Sequence, residues 1–231
     1  MAGKGTRLRP FTLTCPKPLI NVLDKPIVEH LIDQITSKVK SNIDEIVYIL
    51  GDESYFNAEV VNSLNIISEK YKAKTKIYRQ LEQLGTGHAI MCAEESLSGP
   101  SIIAYADTMI QGNIEIDTQV DGIMWVKKVD NPSAYGVVNL DNENKITELI
   151  EKPAEFISDL AVVGIYYFKE AANLRGYLRK HLSEKLSPGK EYLLNYGIEK
   201  MIKNGDSFIP KEIDIWMDCG TPELLLNSTK I

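Results

Sequence analysis

Short apolar runs alternate with helix-like segments along the first half of this chain, and this alternation limits the fold more than any other feature. The runs at 45–50 (EIVYIL) and 101–106 (SIIAYA) have the composition of strands covered on both faces of a sheet. Segments 53–70 and 86–97 favour helices, and Asp24-Lys25-Pro26 favours an earlier helix start capped by Asp24. Because strands that alternate with helices pair in parallel, the sequence predicts an α/β fold. The expected form is a three-layer α/β/α sandwich with a mostly parallel, Rossmann-like sheet.

Beyond Gly122 the pattern changes to strand-like segments separated by short turns. Strands are predicted at 123–129, 136–140, 146–150 and 160–168, then helices at 170–181 and 191–203, short strands at 207–209 and 213–217, and a final helix from Pro222 to Leu226. No internal repeat, low-complexity tract or linker interrupts the chain. One domain is therefore predicted over residues 1–231, with one half at 1–118 and the other at 119–231.

The composition argues against several classes of protein. The 231 residues are 44% hydrophobic and 25% charged, as in ordinary globular domains, and a net charge of −6 argues against a nucleic-acid partner. No apolar run approaches the ~20 residues of a membrane span, so no membrane partner is predicted. Cys15, Cys92 and Cys219 lack metal-ligand spacing and are typical of free thiols in a reducing compartment. A cytoplasmic protein is predicted, and its oligomeric state is left open, with a homo-oligomer as one option.

The first nineteen residues carry the strongest functional signal. Gly3 and Gly5 leave the backbone bare, so a phosphate can approach main-chain N–H groups, and Thr6 adds a hydroxyl donor. Four positive charges precede the first acidic residue of the chain: Lys4, Arg7, Arg9 and Lys17. A basic surface turn would also have this composition. The combination of bare backbone and clustered cations is nevertheless what a polyphosphate requires.

Two familiar phosphate loops do not match this segment. A Walker loop requires four residues between its first Gly and Gly-Lys-Ser/Thr, and a dinucleotide fingerprint requires a third Gly or Ala where Leu8 stands. The combination Gly-x-Gly-Thr-Arg-Leu-x-Pro with Pro-Lys-Pro-Leu instead closely resembles the signature of the sugar-phosphate nucleotidylyltransferases, which make nucleotide-sugars. The resemblance implies a fold of the nucleotide-diphospho-sugar transferase type. Family members place a short strand before this loop, so we expect such a strand to precede Met1 in the natural protein.

For this loop, the resemblance implies two catalytic cations: Arg7 would hold the triphosphate and Lys17 the reacting phosphates. It also implies nucleotide contacts from the loop itself, at Ala2, Gly3, Gly5 and Thr6. Prolines on either side of Lys17 stiffen the backbone that carries it.

A second nucleotide segment is predicted at 80–89, where a strand leads into a helix, because ligands bind at such strand ends in parallel sheets. The Gln80 amide can donate and accept, which suits the edge of a pyrimidine, and Gly85 lets the backbone approach a base. An ordinary strand–turn–helix explains the glycines equally well. Beside the N-terminal loop, the segment resembles the base-recognition loop of pyrimidine-specific family members, which implies contacts from Gln80, Gly85 and Thr86.

Two aspartates follow apolar strand-like runs and are candidate metal ligands. Asp107 follows SIIAYA, and a carboxylate at the end of a buried strand is costly unless something pairs with it. Mg²⁺ prefers one or two carboxylates together with substrate phosphates. A turn or helix-cap aspartate is the alternative. Asp218, in Trp-Met-Asp-Cys-Gly-Thr-Pro, closely resembles a second family motif, so Asp107 and Asp218 are predicted to bind Mg²⁺ at one edge of the sheet.

The second half of the chain resembles the sugar-binding half of the family, and 1–118 its nucleotide-binding half. Glu151-Lys152-Pro153 is weak alone, because Glu–Lys pairs are usually solvated. In the family order it implies a Glu151 carboxylate on sugar hydroxyls and Lys152 on the sugar phosphate. The Tyr-Gly at Gly136 and the Val-Gly at Val163 resemble further segments that meet the sugar phosphate.

The implied function is a sugar-1-phosphate nucleotidylyltransferase that uses a pyrimidine nucleoside triphosphate, dTTP or UTP, and a hexose 1-phosphate such as glucose 1-phosphate. The sugar-phosphate oxygen would attack the α-phosphorus and release pyrophosphate. The protein's task would be to position two anions and neutralise the charge between them. Three alternatives stay open: a transferase acting on a non-sugar phosphate such as choline phosphate, a non-catalytic nucleotide-sugar-binding protein, and a dehydrogenase-like nucleotide-binding protein.

Overall fold

The computed structural model describes residues 1–3, 5–39, 42–112, 114–219, 221–223 and 225. Its helices and strands are, in chain order, β1 (Asn21–Val22), β2 (Lys25–Pro26), α1 (Ile27–Lys38), β3 (Glu45–Leu50), α2 (Ala58–Lys70), β4 (Lys74–Arg79), α3 (Thr86–Met91), β5 (Ser101–Ala104), β6 (Thr108–Gln111), β7 (Gly122–Lys128), β8 (Gly136–Leu140), β9 (Ile146–Glu151), β10 (Leu160–Phe168), α4 (Ala171–Leu182), α5 (Leu194–Lys203), β11 (Phe208–Glu212) and β12 (Ile215–Asp218). The described residues also form 3-10 turns, three before β1 (Thr6–Leu8, Phe11–Leu13 and Lys17–Leu19) and two later in the chain (Glu94–Ser96 and Pro132–Ala134). Within this part of the chain, every helix is too short or too polar to cross a bilayer.

These elements form two compact units whose segments interleave along the chain. The first unit holds the described residues of 1–83, 105–114 and 215–231, and the second holds 84–104 and 115–214. The predicted division into a nucleotide half and a sugar half at residue 118 stays a prediction. The predicted final helix begins at Pro222 and Glu223, and Leu224 and Leu226 lie outside the described residues.

Among its described residues, the first unit contains three separate strand pairs, β1–β2, β3–β4 and β6–β12. Strands β3 and β4 pair in parallel, with Leu50 opposite Arg79, because α2 provides the crossover between them. The Asn57 side chain caps α2 by accepting hydrogen bonds from the Glu59 and Val60 N–H groups, each at 3.1 Å. Strands β6 and β12 pair antiparallel. One apolar cluster joins α1, α2 and β3: Val28, Ile32, Tyr48, Leu50, Phe56, Val60, Leu64 and Ile67.

The helix start predicted at Asp24 is wrong. Asp24 lies in the turn between β1 and β2, which pair antiparallel, and α1 begins only at Ile27. The chain reverses there because Leu23 takes a left-handed conformation with φ of 57°. The Ile27 N–H then donates to the Ile20 carbonyl at 3.1 Å.

The second unit is built around β10, which is buried along nearly its whole length. The strand order is β11-β7-β10-β8-β9, and β5 also pairs with β10. Strands β7 and β11 are parallel, whereas β10 runs antiparallel to β5, β7 and β8. Phe168 and Phe208 pack edge-to-face at 6.0 Å between ring centroids. A Cβ on Gly122 would lie 2.0 Å from the Phe208 ring, so only glycine fits at the start of β7.

The predicted α/β class is therefore present, with parallel and antiparallel pairing found in different places. Of the two parallel ladders, β3–β4 follows a helical crossover through α2, whereas three strands and two helices separate β7 from β11 along the chain. The antiparallel ladder β8–β9 follows from a tight turn that reverses the chain, whereas β5–β10 and β6–β12 pair antiparallel strands that lie far apart in sequence.

Candidate functional site

The N-terminal glycine loop of the first unit has one position that only glycine fits. Gly5 is left-handed, with φ of 60° and ψ of 37°. A Cβ there would lie 3.0 Å from the Thr12 side chain and 3.3 Å from the Lys17 Cβ, and the Thr12 hydroxyl donates to the Gly5 carbonyl at 2.7 Å. Leu8 is fully buried and Arg7 is exposed, so the loop is anchored by one side chain and presents the other to solvent.

Tyr55 fixes the segment that leads from this loop to Lys17. Its hydroxyl donates to the Thr12 carbonyl at 2.7 Å and to the Cys15 carbonyl at 3.1 Å. Burial raises the pKa of Tyr55, so the hydroxyl keeps its proton and remains a donor at neutral pH. The stiffening expected from the prolines is thus reinforced by a tyrosine from the turn before α2.

Lys17 makes an ion pair with Asp107. The Lys17 Nζ lies 2.7 Å from the Asp107 Oδ2, and the Lys17 side chain is 13% exposed against 44% for Asp107. A buried ammonium needs such a partner, because an unpaired charge away from water is costly. The pair joins the Pro-Lys-Pro segment to the residue just before β6.

The β6–β12 ladder brings the two predicted metal ligands to the same end of one strand pair. Thr108 stands opposite Asp218, and the Cys219 N–H donates to the Asp107 carbonyl at 3.0 Å. An apolar cluster packs the glycine loop against these strands: Leu8, Val22, Ile27, Met109, Cys219 and Leu225. The aspartates meet through an antiparallel ladder, whereas the sequence analysis expected them at one edge of a parallel sheet.

Two carboxylates at one end of a strand pair match in type the donors that Mg²⁺ would take together with phosphate oxygens. Mg²⁺ usually takes one or two carboxylates and fills its other positions with water and phosphate oxygens. Among the described residues, no cluster of three or more His, Cys, Asp or Glu side chains could hold a metal by itself. Asp107 uses Oδ2 for Lys17, which leaves its other oxygen for a cation.

Ala2 and Gln80 lie at the carboxyl ends of β3 and β4 in the first unit. The Gln80 N–H donates to the Leu50 carbonyl at 2.8 Å, and Gln80 is 5% exposed. A Cβ on Gly51 would lie 2.6 Å from the Ala2 carbonyl oxygen, and the Gln83 amide donates to the same oxygen at 3.3 Å. The loop backbone therefore packs on the strand ends where the sequence predicts the base.

Gly85 and Thr86 belong to the second unit, where they contact the segment before α5. Gly85 has φ of 112°, and a Cβ there would lie 2.5 Å from the Tyr192 carbonyl oxygen. The Gly87 N–H donates to that oxygen at 2.7 Å, and the Thr86 hydroxyl accepts from the Leu194 N–H at 3.0 Å. Close backbone packing thus accounts for Gly85, and its role as a base contact stays a prediction.

Glu151 lies at the centre of a polar group in the second unit. It ends β9 opposite Gly136 of β8, where a Cβ on the glycine would lie 3.1 Å from the Glu151 Oε2. The Asn195 Nδ2 donates to this Oε2 at 2.9 Å, and the Lys152 Nζ lies 3.9 Å from the Oε1. Lys152 has a left-handed φ of 45°, which is uncommon for a lysine and marks functional sites more often than chance.

Val163 lies in an irregular stretch of β10. The register against β7 shifts between Val162 and Tyr166, and Gly164 has a positive φ of 81°. Val163 is 2% exposed, so its side chain and backbone together have almost no contact with solvent, and its predicted contact with the sugar phosphate stays a prediction. Bulges of this kind redirect a strand locally and are frequent beside active sites.

Sequence reasoning missed Asn195, Thr12 and Tyr55. Asn195 gave a usable signal, because asparagine is disfavoured inside helices and a buried amide there needs a partner. Tyr55 and Thr12 gave none, since both act on backbone carbonyls that only the folded loop brings within reach.

The fold and these groups together define a class, an α/β protein with a cationic glycine loop beside strand-end aspartates, which is suited to nucleotide phosphates. The chain matches the nucleotidyl transferase family over residues 1–230 and belongs to that family, which confirms the predicted resemblance.

Named relatives agree with this assignment. The chain is 32% identical over 225 residues to the bifunctional protein GlmU of Methanococcus maripaludis strain S2, covering 96% of this chain and 50% of that protein. The chain thus spans about half the length of such GlmU relatives. It is 31% identical over 232 residues to the UTP–glucose-1-phosphate uridylyltransferase AglF of Haloferax volcanii, covering 96% of this chain and 90% of that protein.

Solved structures confirm the predicted fold class. A nucleoside-diphosphate-sugar pyrophosphorylase from Vibrio cholerae RC9 aligns with a TM-score of 0.84 at 17% identity, covering 100% of this chain and 98% of that one. A UDP-glucose pyrophosphorylase in complex with UDP-glucose aligns with a TM-score of 0.78 at 22% identity, covering 99% and 94%.

Proposed function

We propose that the chain transfers a nucleotidyl group from a pyrimidine nucleoside triphosphate, UTP or dTTP, to a hexose 1-phosphate. The observation that carries the proposal is the Lys17–Asp107 ion pair beside Asp218, at the end of a ladder packed against the glycine loop. Glucose 1-phosphate is the first acceptor to test, because AglF, the relative matched over 90% of its length, is named for UTP and glucose 1-phosphate.

In the proposed reaction, a phosphate oxygen of the sugar 1-phosphate attacks the α-phosphorus of the triphosphate. One P–O bond forms, the bond from the α-phosphorus to the bridging oxygen breaks, and pyrophosphate leaves with that electron pair. The attacking phosphate is already ionised, so no general base and no protein nucleophile are needed. Catalysis then rests on positioning and charge neutralisation.

Each predicted site residue has a role in this proposal. Arg7 and Lys17 neutralise the triphosphate, and the backbone around Gly3 and Gly5, together with Ala2 and Thr6, cradles its phosphates. Gln80 binds the edge of the base, and Gly85 and Thr86 also contact the nucleotide. On the acceptor, Glu151 accepts from sugar hydroxyls and Lys152 binds the phosphate, with backbone contacts at Gly136 and Val163.

We further propose that Asp107 and Asp218 hold Mg²⁺ and that the reaction takes place in the cytoplasm. A bound divalent cation would supply positive charge to phosphate oxygens. The cytoplasmic assignment is supported by the three cysteines, all within the described residues, which form no disulfide with one another.

The deciding experiment measures pyrophosphate release over a grid of substrates. UTP, dTTP, CTP, ATP and GTP are each combined with glucose 1-phosphate, galactose 1-phosphate, N-acetylglucosamine 1-phosphate and choline phosphate, in the presence of Mg²⁺. Turnover with UTP or dTTP and a hexose 1-phosphate is expected. Turnover with choline phosphate and with none of the sugar phosphates would mean that the acceptor is not a sugar. Binding of a nucleotide-sugar without any turnover would mean that the chain is a binding protein.

A further inference from the structure

We propose that Asn195 is a positioning residue for Glu151 and thereby sets the affinity for the acceptor sugar; this inference rests on the proposed function. Asn195 lies in the first turn of α5 and is 8% exposed. Its Nδ2 donates to the Glu151 Oε2 at 2.9 Å. A hydrogen bond to an ionised acceptor is stronger than one between neutral groups, so a single contact can hold the carboxylate in one rotamer.

The two oxygens of Glu151 have different surroundings. The Oε2 accepts from Asn195 and lies against the bare backbone of Gly136, where a Cβ would approach it to 3.1 Å. The Oε1 faces the Lys152 Nζ at 3.9 Å, which is beyond hydrogen-bond distance. The Glu151 side chain is 43% exposed, so solvent and ligand reach it. Asn195 therefore occupies the inner oxygen and leaves the outer one to accept from a sugar hydroxyl.

The backbone that carries Asn195 is itself fixed by the predicted base loop of the same unit. The Tyr192 N–H donates to the Leu84 carbonyl at 2.8 Å, and the Tyr192 carbonyl accepts from the Gly87 N–H at 2.7 Å. The Leu194 N–H donates to the Thr86 hydroxyl at 3.0 Å. Residues 192–195 thus connect residues 84–87 to Glu151 through hydrogen bonds. The contact to Glu151 itself comes from the Asn195 amide.

The first test is Asn195→Ala, assayed as pyrophosphate release with saturating partner substrate. We expect the KM for the sugar 1-phosphate to rise about tenfold, the effect of losing one hydrogen bond to a charged group. The KM for the triphosphate and the melting temperature should stay near the parent values.

The matched control is Asn139→Ala. The Asn139 Nδ2 donates to the Glu148 Oε2 at 3.1 Å across the same β8–β9 pair, so it removes the same kind of bond from the same sheet without touching Glu151. Both Michaelis constants should be unchanged in this variant.

The second test is Asn195→Asp, which puts a carboxylate where the amide donor was. Two carboxylates in contact repel each other and share a proton more readily as the pH falls. As the pH is lowered from about 8 to about 6, the KM of the variant for sugar phosphate, divided by that of the parent, should therefore decrease. The reason is that a protonated Asp donates a hydrogen bond as the amide did. In Asn195→Ala the ratio should stay constant, and a purely structural role predicts no such difference.

The outcomes separate the two proposals. If the parent releases pyrophosphate and Asn195→Ala keeps the parent KM for sugar phosphate, the positioning role is overturned and the proposed function stands. Equal rises in both Michaelis constants, or a pH-independent ratio for Asn195→Asp, would also overturn it. If the parent neither binds nor turns over any sugar 1-phosphate in the grid, the proposed function and this inference fall together.

Discussion

Arg7 and Lys17 are two cations of one loop in different electrostatic states. Lys17 is largely buried and already paired with Asp107 at 2.7 Å, so much of its charge is balanced before any ligand arrives. Arg7 is exposed, and within the described part of the chain it makes no ion pair within 4 Å of a carboxylate. We infer that Arg7 is the cation whose charge is most available to an incoming triphosphate, whereas Lys17 also stabilises the fold through its ion pair with Asp107.

Arg7→Ala should lower turnover by roughly 10²–10³ and leave the fold intact, because one preorganised charge contact to a developing anion is lost. Arg7→Lys should also be impaired, since an ammonium cannot reproduce the guanidinium fork. Pyrophosphate release and circular dichroism are the measurements. The control is Arg179→Ala, which removes an exposed arginine of α4 that pairs with Glu94. Turnover near the parent rate in folded Arg7→Ala would remove Arg7 from the site.

Lys152 is exposed and has a left-handed φ, so we expect its side chain to contribute to ligand binding rather than to the stability of the fold. Lys152→Ala should raise the KM for sugar 1-phosphate more than the KM for the triphosphate. Steady-state kinetics with each substrate varied in turn measure the two constants. Lys145→Ala is the control, because Lys145 forms a similar exposed pair with Glu143 at 2.8 Å. A rise confined to the triphosphate constant would contradict the assignment of Lys152 to the acceptor.

At the scale of elements, the β6–β12 ladder is the feature that brings Asp107 and Asp218 together. If both carboxylates hold Mg²⁺, activity should require a divalent cation and be lost in chelator. Asp107→Asn and Asp218→Asn should each lower turnover strongly, by an order of magnitude or more. Asp107→Asn should also lower the melting temperature, because Lys17 then keeps its charge without an ionised partner.

The measurements are pyrophosphate release and melting temperature with and without chelator. Asp130→Asn, an exposed aspartate beyond β7, is the control and should behave as the parent. Full activity in chelator would end the metal proposal. A large loss for Asp107→Asn with none for Asp218→Asn would leave a site with one carboxylate.

The elements that could be predicted from the sequence are those whose signal is local. Strands 136–140 and 160–168 have the predicted bounds, because apolar composition and flanking turns define them. Strand β6 was not predicted: four residues carry almost no pattern, and its partner β12 lies about a hundred residues further on. The helix start predicted at Asp24 is wrong for a similar reason, since the β1–β2 hairpin depends on one left-handed leucine, Leu23.

The same limit applies to the site. Glycine, lysine and aspartate positions could be singled out because their chemistry is visible in the residue type. The contacts that hold them could not, because Thr12, Tyr55 and Asn195 act on atoms 7, 40 and 44 residues away in sequence. Which oxygen of the Glu151 carboxylate accepts from Asn195, for example, follows only from the folded arrangement.

At the scale of the whole molecule, the first unit needs chain from both sides of the second. Ending the chain after Asp214 removes β12 and the buried Cys219 and Leu225, and the loss of a buried leucine side chain alone costs about 2–5 kcal/mol. We expect residues 1–83 to become sensitive to limited proteolysis while 115–214 stays protected, and activity to be lost. Mass spectrometry of the fragments gives the readout.

The control ends the chain after Leu225, which keeps β12 and every described residue of the first unit. It should show the parent's proteolysis pattern. Equal cleavage of both units in the shorter chain would mean that the second unit also unfolds without β12. That result would contradict the division into two compact units.

This interleaving has a consequence for synthesis. The glycine loop and Asp107 leave the ribosome early, but β6 has no partner strand until Asp218 emerges, 111 residues later. At ~5–20 residues per second that interval is roughly 6–22 s. Under the proposed function, the nascent chain carries its cations but only one of the two proposed metal carboxylates throughout that interval, and the site is completed only when β12 pairs with β6.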